Sequence, residues 1–157
     1  MRLVSSLDSA ARRTLFLRLA GTPERLAHLS RHAYCGQPIA QIQVEVIISA
    51  SRGIWFIVTD EDGPIGLINH GSAFPGHANA FGMVIARDHA RRGHGRAALA
   101  EFVDRHEEFG VRELNGFCHR DNAAILRIMR AVGFVQDATF VDLRDPDTLK
   151  FTHPLGP

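Results

Sequence analysis

The run Ile85-Ala86-Arg87-Asp88-His89-Ala90-Arg91-Arg92-Gly93-His94-Gly95-Arg96 carries the clearest chemical signal in the chain. It reads as the end of a strand, a glycine-bearing loop and the start of a helix. Successive backbone N–H groups in such a loop form a concavity for an anion. The helix that follows adds N–H groups without internal acceptors and the positive end of its dipole. Gly93 and Gly95, on either side of His94, let a phosphate approach the backbone with no Cβ in the way. Arg91, Arg92 and Arg96 are placed to contact phosphates from the rim, where one guanidinium binds two oxygens at once. A pyrophosphate suits this arrangement. A lone Gly-x-Gly is equally a plain strand–helix connection, and the arginines are then a solvated surface.

Other reactive side chains are scattered. Nine histidines, among them His70, His77 and His119, offer groups that titrate near neutrality. None falls in an HExxH pattern or pairs with cysteine at zinc spacing. Cys35 and Cys118 lie far apart and make neither a disulfide framework nor a metal site. No bound metal is expected.

To present the loop, the chain must place a strand before it and a helix after it. Residues 81–86 read as that strand. The spacing of Leu99, Phe102, Val103 and Phe109 predicts a helix over 96–109, stopped by Gly110. Upstream, 54–59 is dense in β-branched and aromatic residues and reads as a strand. Asp60-Glu61-Asp62-Gly63 turns the chain, and 64–69 returns as the second arm of a hairpin, followed by a loop over 71–76. Downstream, 112–118 is a strand. Asp121 or Asn122 then caps a helix with Ile125, Ile128, Met129 and Val132 on one face, and Gly133 ends it. Residues 134–143 and 149–153 read as closing strands, joined through Asp145-Pro146-Asp147 as an antiparallel hairpin. Ahead of all these, Asp8-Ser9 caps a helix over 10–19, and Thr22-Pro23 opens a second. Residues 41–50 favour a strand by composition, while their length also admits a helix. This order is α+β around one mixed sheet, not a doubly wound parallel fold.

The chain's 157 residues, 45% hydrophobic and 22% charged, suit a single domain over 1–157 with its own core. Eighteen basic against 17 acidic residues leave a formal charge of +1, so there is no global basic field to draw nucleic acid or anionic lipid. A nucleic-acid-binding rival rests on the arginines of 87–96 alone, which lack interleaved aromatics. The basic residues are arginine except for Lys150. No apolar run reaches membrane-spanning length, and the N-terminus lacks the apolar region of a signal peptide. A cytoplasmic protein with reduced thiols is expected. The oligomeric state is open, with a homodimer as the candidate assembly.

The run from Ile85 to Leu99 resembles the acyl-CoA-binding segment of the GNAT superfamily of N-acyltransferases, whose pattern is Gln/Arg-x-x-Gly-x-Gly/Ala. Ala90-Arg91-Arg92-Gly93-His94-Gly95 fits it except at the first position; the shifted frame Arg92-x-x-Gly95-x-Ala97 fits it formally. The run from Asn122 to Gly133-Phe134 is similar to the family's later motif, an Asn, a helix and Gly-Phe. The resemblance spans roughly 54–157. It implies the acyl-CoA N-acyltransferase fold, a mixed, mostly antiparallel central sheet flanked by helices. It also implies acetyl-CoA as co-substrate, direct attack without a covalent acyl-enzyme, and an amine acceptor that is a small molecule, a peptide terminus or a protein lysine. The backbone of Met83, Val84 and Ile85 would pair with the pantetheine arm. Arg91, Arg92, Gly93, His94, Gly95, Arg96 and Asn122 would hold the rest of the cofactor. Two of the family's frequent catalytic residues are missing: 79–86 holds no carboxylate, and Met129 stands where many members carry a tyrosine. His70 is the candidate base and Cys118 the candidate proton donor, with a water relay as the alternative. The same gaps admit a domain that binds acyl-CoA as a sensor and has lost turnover.

Overall fold

The β-rich run at 54–59 forms strand β2 (Gly53–Asp60), and the turn through Gly63 returns the chain as β3 (Gly63–Gly71). The computed structural model describes residues 2–5, 53–61, 63–71 and 77–156. The helices expected over 10–19 and from Thr22, the segment 41–50 and most of the loop 71–76 lie outside the described residues. Among the described residues, β1 (Arg2–Ser5), β4 (Ala80–Ile85), β5 (Leu114–His119), β6 (Val135–Gln136) and β7 (Thr148–His153) complete a seven-stranded sheet. Its order is β1-β2-β3-β4-β5-β7-β6. Every neighbouring pair is antiparallel except β4 with β5, which gives the mixed, mostly antiparallel sheet.

Helix α1 (His94–Asp104) follows β4, and α2 (Ala123–Val132) follows β5. Both pack on one face of the sheet. A Cβ added at Gly95 of α1 would press on Ile128 of α2 and Met83 of β4. Strand side chains alternate between faces, so Phe81, Met83 and Ile85 belong to this helix face. Their register partners His70, Ile68 and Gly66 share it. Ile68, Leu99, Phe102, Leu114, Met129 and Phe151 are buried in the core there. Asn69, Gly82, Asn115 and Phe117 belong to the opposite face. Among the described residues, no helix is long and apolar enough to cross a membrane.

Two elements are shorter than expected. The helix predicted to reach 109 ends at Asp104, because Arg105 leaves helical geometry and turns carry the chain to Gly110. Phe109 still reaches Phe102, at 5.5 Å between rings, by folding back rather than by helical periodicity. The strand predicted over 134–143 is paired only at Val135 and Gln136. Asp137 stops it: its Oδ1 accepts from the backbone N–H and the hydroxyl of Thr139, and the chain turns off the sheet edge. The helix begun at Asn122 and ended at Gly133 is as expected.

Candidate functional site

α1 starts without a side-chain cap. Its N-cap is Gly93, in left-handed backbone at φ 86°, and the first helical bond runs from the N–H of Ala97 to the Gly93 carbonyl at 3.0 Å. The first-turn N–H groups, those of Gly95 and Arg96 among them, have no internal acceptor in a helix. Arg91 is also left-handed, at φ 64°, an uncommon state for a residue with a Cβ. Left-handed residues at 91 and 93 give the loop the kind of conformation in which N–H groups converge on an anion. Arg91, Arg92, Gly93 and Arg96 are exposed, while His94 and Gly95 are half-buried. The two glycines have different reasons. Around Gly93 the space is open, and its backbone angle demands glycine. At Gly95 the backbone is helical, and the ends of the Ile128 and Met83 side chains leave only a tight fit for a Cβ.

Beside this loop the sheet opens. β4 is paired with β3 from Ala80 to Ile85, and β5 with β7 from Leu114 to His119. Between β4 and β5 the ladder holds one pair, Ala80↔Asn115, and does not continue. Met83, Val84 and Ile85 therefore line a cleft that is closed at Ala80 and open toward the loop. Because β4 and β5 are parallel, the helices that follow them start at the same end. The Gly93 loop and Asn122 flank the mouth of the cleft. The Asn122 side-chain oxygen already accepts from the N–H of Ile125 at 3.3 Å, so its cap role is filled.

His70 and Cys118 both belong to the helix face, at different levels. His70 is in register with Phe81 near the closed end. Its Nε2 lies 3.0 Å from the Glu113 carbonyl, and its ring packs against Phe102. A carbonyl only accepts, so Nε2–H donates and Nδ1 is the basic nitrogen. Cys118 is a free thiol, 3% exposed, further toward the mouth. Burial pushes it up to about 12, against the opposing charge of Arg130. Burial thus favours the protonated thiol over the thiolate that nucleophilic attack requires. Met129 is fully buried, and a Cβ on Gly116 would overlap both its sulfur and the Phe81 ring.

The opposite face carries a cluster that the sequence did not reveal. His77 Nε2 lies 2.9 Å from Asp142 Oδ2. Arg144 donates to both carboxylate oxygens, through Nε at 3.1 Å and its terminal nitrogen at 3.0 Å. The His77 ring stacks on Phe117 at 4.1 Å, and Phe140 meets the same Phe117 edge-on. Asp142 is held well below the usual carboxylate range, first by the Arg144 side chain, then by the Arg144 backbone N–H and His77, against its own burial. The Asp142-x-Arg144 spacing was the one local signal; its partner His77 is 65 residues away. His119, Asp145 and Asp147 bring candidate metal-ligand atoms within 4.8 Å of one another. Arg120 already binds Asp147, and Asp145 accepts from the N–H of Asp147 and the hydroxyl of Thr148.

Residues 5–135 match the family model described as an acetyltransferase (GNAT) domain. No curated protein sequence matches the chain. Similar solved structures share its fold at low identity. An acetyltransferase from Agrobacterium tumefaciens is 17% identical with a TM-score of 0.71, covering 97% of this chain and 90% of its own. A GNAT superfamily phosphinothricin acetyltransferase from Sinorhizobium meliloti, in complex with acetyl-CoA, is 20% identical with a TM-score of 0.68, covering 99% and 88%. A spermidine N-acetyltransferase mutant from Vibrio cholerae is 16% identical with a TM-score of 0.65, covering 98% and 94%.

Proposed function

Because the chain belongs to the GNAT acetyltransferase family, we propose that it transfers an acetyl or short acyl group from acyl-CoA to a primary amine. The observation that carries this reading is the left-handed loop at the start of α1, set at the open end of the β4–β5 cleft. In it, the backbone of Met83, Val84 and Ile85 meets the pantetheine arm. The loop backbone from Arg91 to Arg96, with Gly93, His94 and Gly95 at its centre, cradles the pyrophosphate, and Arg91, Arg92 and Arg96 neutralise its charge. Asn122 shapes the other side of the mouth. The whole chain, 1–157, acts as one domain in the cytoplasm, without nucleic acid or membrane, and a homodimer is its candidate assembly.

The amine nitrogen attacks the thioester carbonyl; a C–N bond forms and the C–S bond breaks. Holding both reactants in line supplies much of the acceleration. Nδ1 of His70 takes the proton of the ammonium. The leaving thiolate takes one from Cys118 or, since burial makes that thiol a reluctant donor, from water. A second reading, acyl-CoA binding without turnover, is favoured by Met129, whose buried thioether donates no proton. Thiol release from acetyl-CoA with spermidine, phosphinothricin and an alanine-terminated peptide separates the two.

Gly93→Glu tests the shared premise. The new side chain would strain the left-handed backbone at 93 and put into open space a charge opposed to phosphate. Coenzyme A affinity by calorimetry should fall about tenfold or more, 1.4 kcal/mol per decade, with unchanged circular dichroism. Undiminished affinity in the folded variant overturns the assignment.

A further inference from the structure

The closed end of the cleft is built by a polar network rather than by apolar packing. Asn115, 2% exposed, has both amide hydrogens and its oxygen engaged. Nδ2 donates to the Ala78 carbonyl at 3.0 Å and to Glu113 Oε1 at 2.8 Å, and Oδ1 accepts from the Thr152 hydroxyl at 2.9 Å. Its backbone N–H donates to the Asn79 carbonyl at 2.9 Å. The second oxygen of Glu113 accepts from Asn79 Nδ2 at 2.9 Å. Asn79 is left-handed, at φ 51°, a state that asparagine tolerates better than most residues. The chain leading into β4, the start of β5 and the strand β7 thus meet at one amide. Beyond it β4 and β5 have no shared ladder, and each follows its outer neighbour.

We propose that Asn115, with Glu113 and Asn79, is a positioning device for acyl-CoA: it fixes where β4 and β5 part, and so the width of the cleft that receives the pantetheine arm. This rests on the acyl-CoA reading above. The network touches neither the loop nor the mouth, so it governs one part of the ligand and not the other. The adenine nucleotide end belongs to the loop at 91–96; the pantetheine end belongs to the cleft.

Two probes separate these ends, coenzyme A and adenosine 3′-phosphate 5′-diphosphate, which lacks the pantetheine arm. Asn115→Asp keeps the shape but removes both amide donors and sets a second carboxylate beside Glu113. Glu113→Gln is an exposed, milder change that removes the charge and turns one of the two acceptors into a donor facing a donor. Calorimetry should show coenzyme A affinity falling about tenfold in Asn115→Asp, and by less in Glu113→Gln, the scale of losing a charged hydrogen-bond network. Affinity for the nucleotide should stay within about twofold, since its contacts lie elsewhere. A change only in overall fold would weaken both probes alike, and that result overturns the proposal. So does unchanged coenzyme A affinity in either folded variant; should Asn115→Asp not fold, Glu113→Gln alone decides. Wild-type protein that binds neither probe overturns the acyl-CoA reading and this inference with it. Wild-type binding of both probes with insensitive variants overturns the inference alone.

Discussion

At His70, one hydrogen bond determines what the side chain has left to offer. Nε2 is tied to the Glu113 carbonyl, so the ring is held in the tautomer whose Nδ1 accepts a proton. That bond also links His70 to the residue that anchors the closed end of the cleft. We expect His70→Ala to lower kcat/KM about 10²-fold, the scale of a lost general base. Measurement on whichever of spermidine, phosphinothricin or the alanine-terminated peptide turns over decides it. A variant that keeps the wild-type kcat/KM would assign proton removal to water. Cys118 and Met129 make the contrast. Their burial fits them to the core, where a protonated thiol and a thioether pack against α2 and the sheet.

Helix α2 shows which elements local sequence determines. Its cap is Asn122, its buried residues are Leu126 and Met129, and its end is Gly133, all within a dozen residues. Asn122→Ala should lower stability by about 1 kcal/mol, the usual loss for a side-chain N-cap, and Asn122→Asp should restore it. Chemical denaturation reads this directly; equal stability of Asn122→Ala and wild type would mean the 3.3 Å bond contributes nothing. The glycine loop was legible for the same local reason: two glycines, three arginines and the helix they precede are contiguous. The strand expected over 134–143 ends at Gln136 because the side-chain turn at Asp137 takes the chain off the sheet. The helix expected over 96–109 ends at Asp104, and Phe109 supplies its apolar contact from a turn. Asn79 with Glu113, 34 residues apart, and His77 with Arg144, 67 apart, left no local pattern to read.

Across the whole molecule the sheet is two wings, β1 to β4 and β5 to β7, and the cleft is the seam between them. The Asn115 network ties the wings at the closed end. The His77–Asp142–Arg144 cluster ties them again on the face away from α1 and α2. His77 precedes β4, whereas Asp142 and Arg144 belong to the connection between β6 and β7. This second tie depends on an ionised carboxylate. The Asp142 carboxyl is held well below its ordinary value, chiefly by Arg144. A carboxyl whose pKa is lower in the folded than in the unfolded state adds stability above the unfolded value, about 3.9 for aspartate. That stability is lost as pH falls toward the folded value, because the unfolded chain then binds more protons. Asp142→Asn lacks this term at every pH. Wild type should therefore melt well above Asp142→Asn at neutral pH, and the gap should close progressively below about pH 4. Thermal melts of both proteins across that range give the test. A gap independent of pH would mean that the seam is tied by the shape of the cluster and not by its charge.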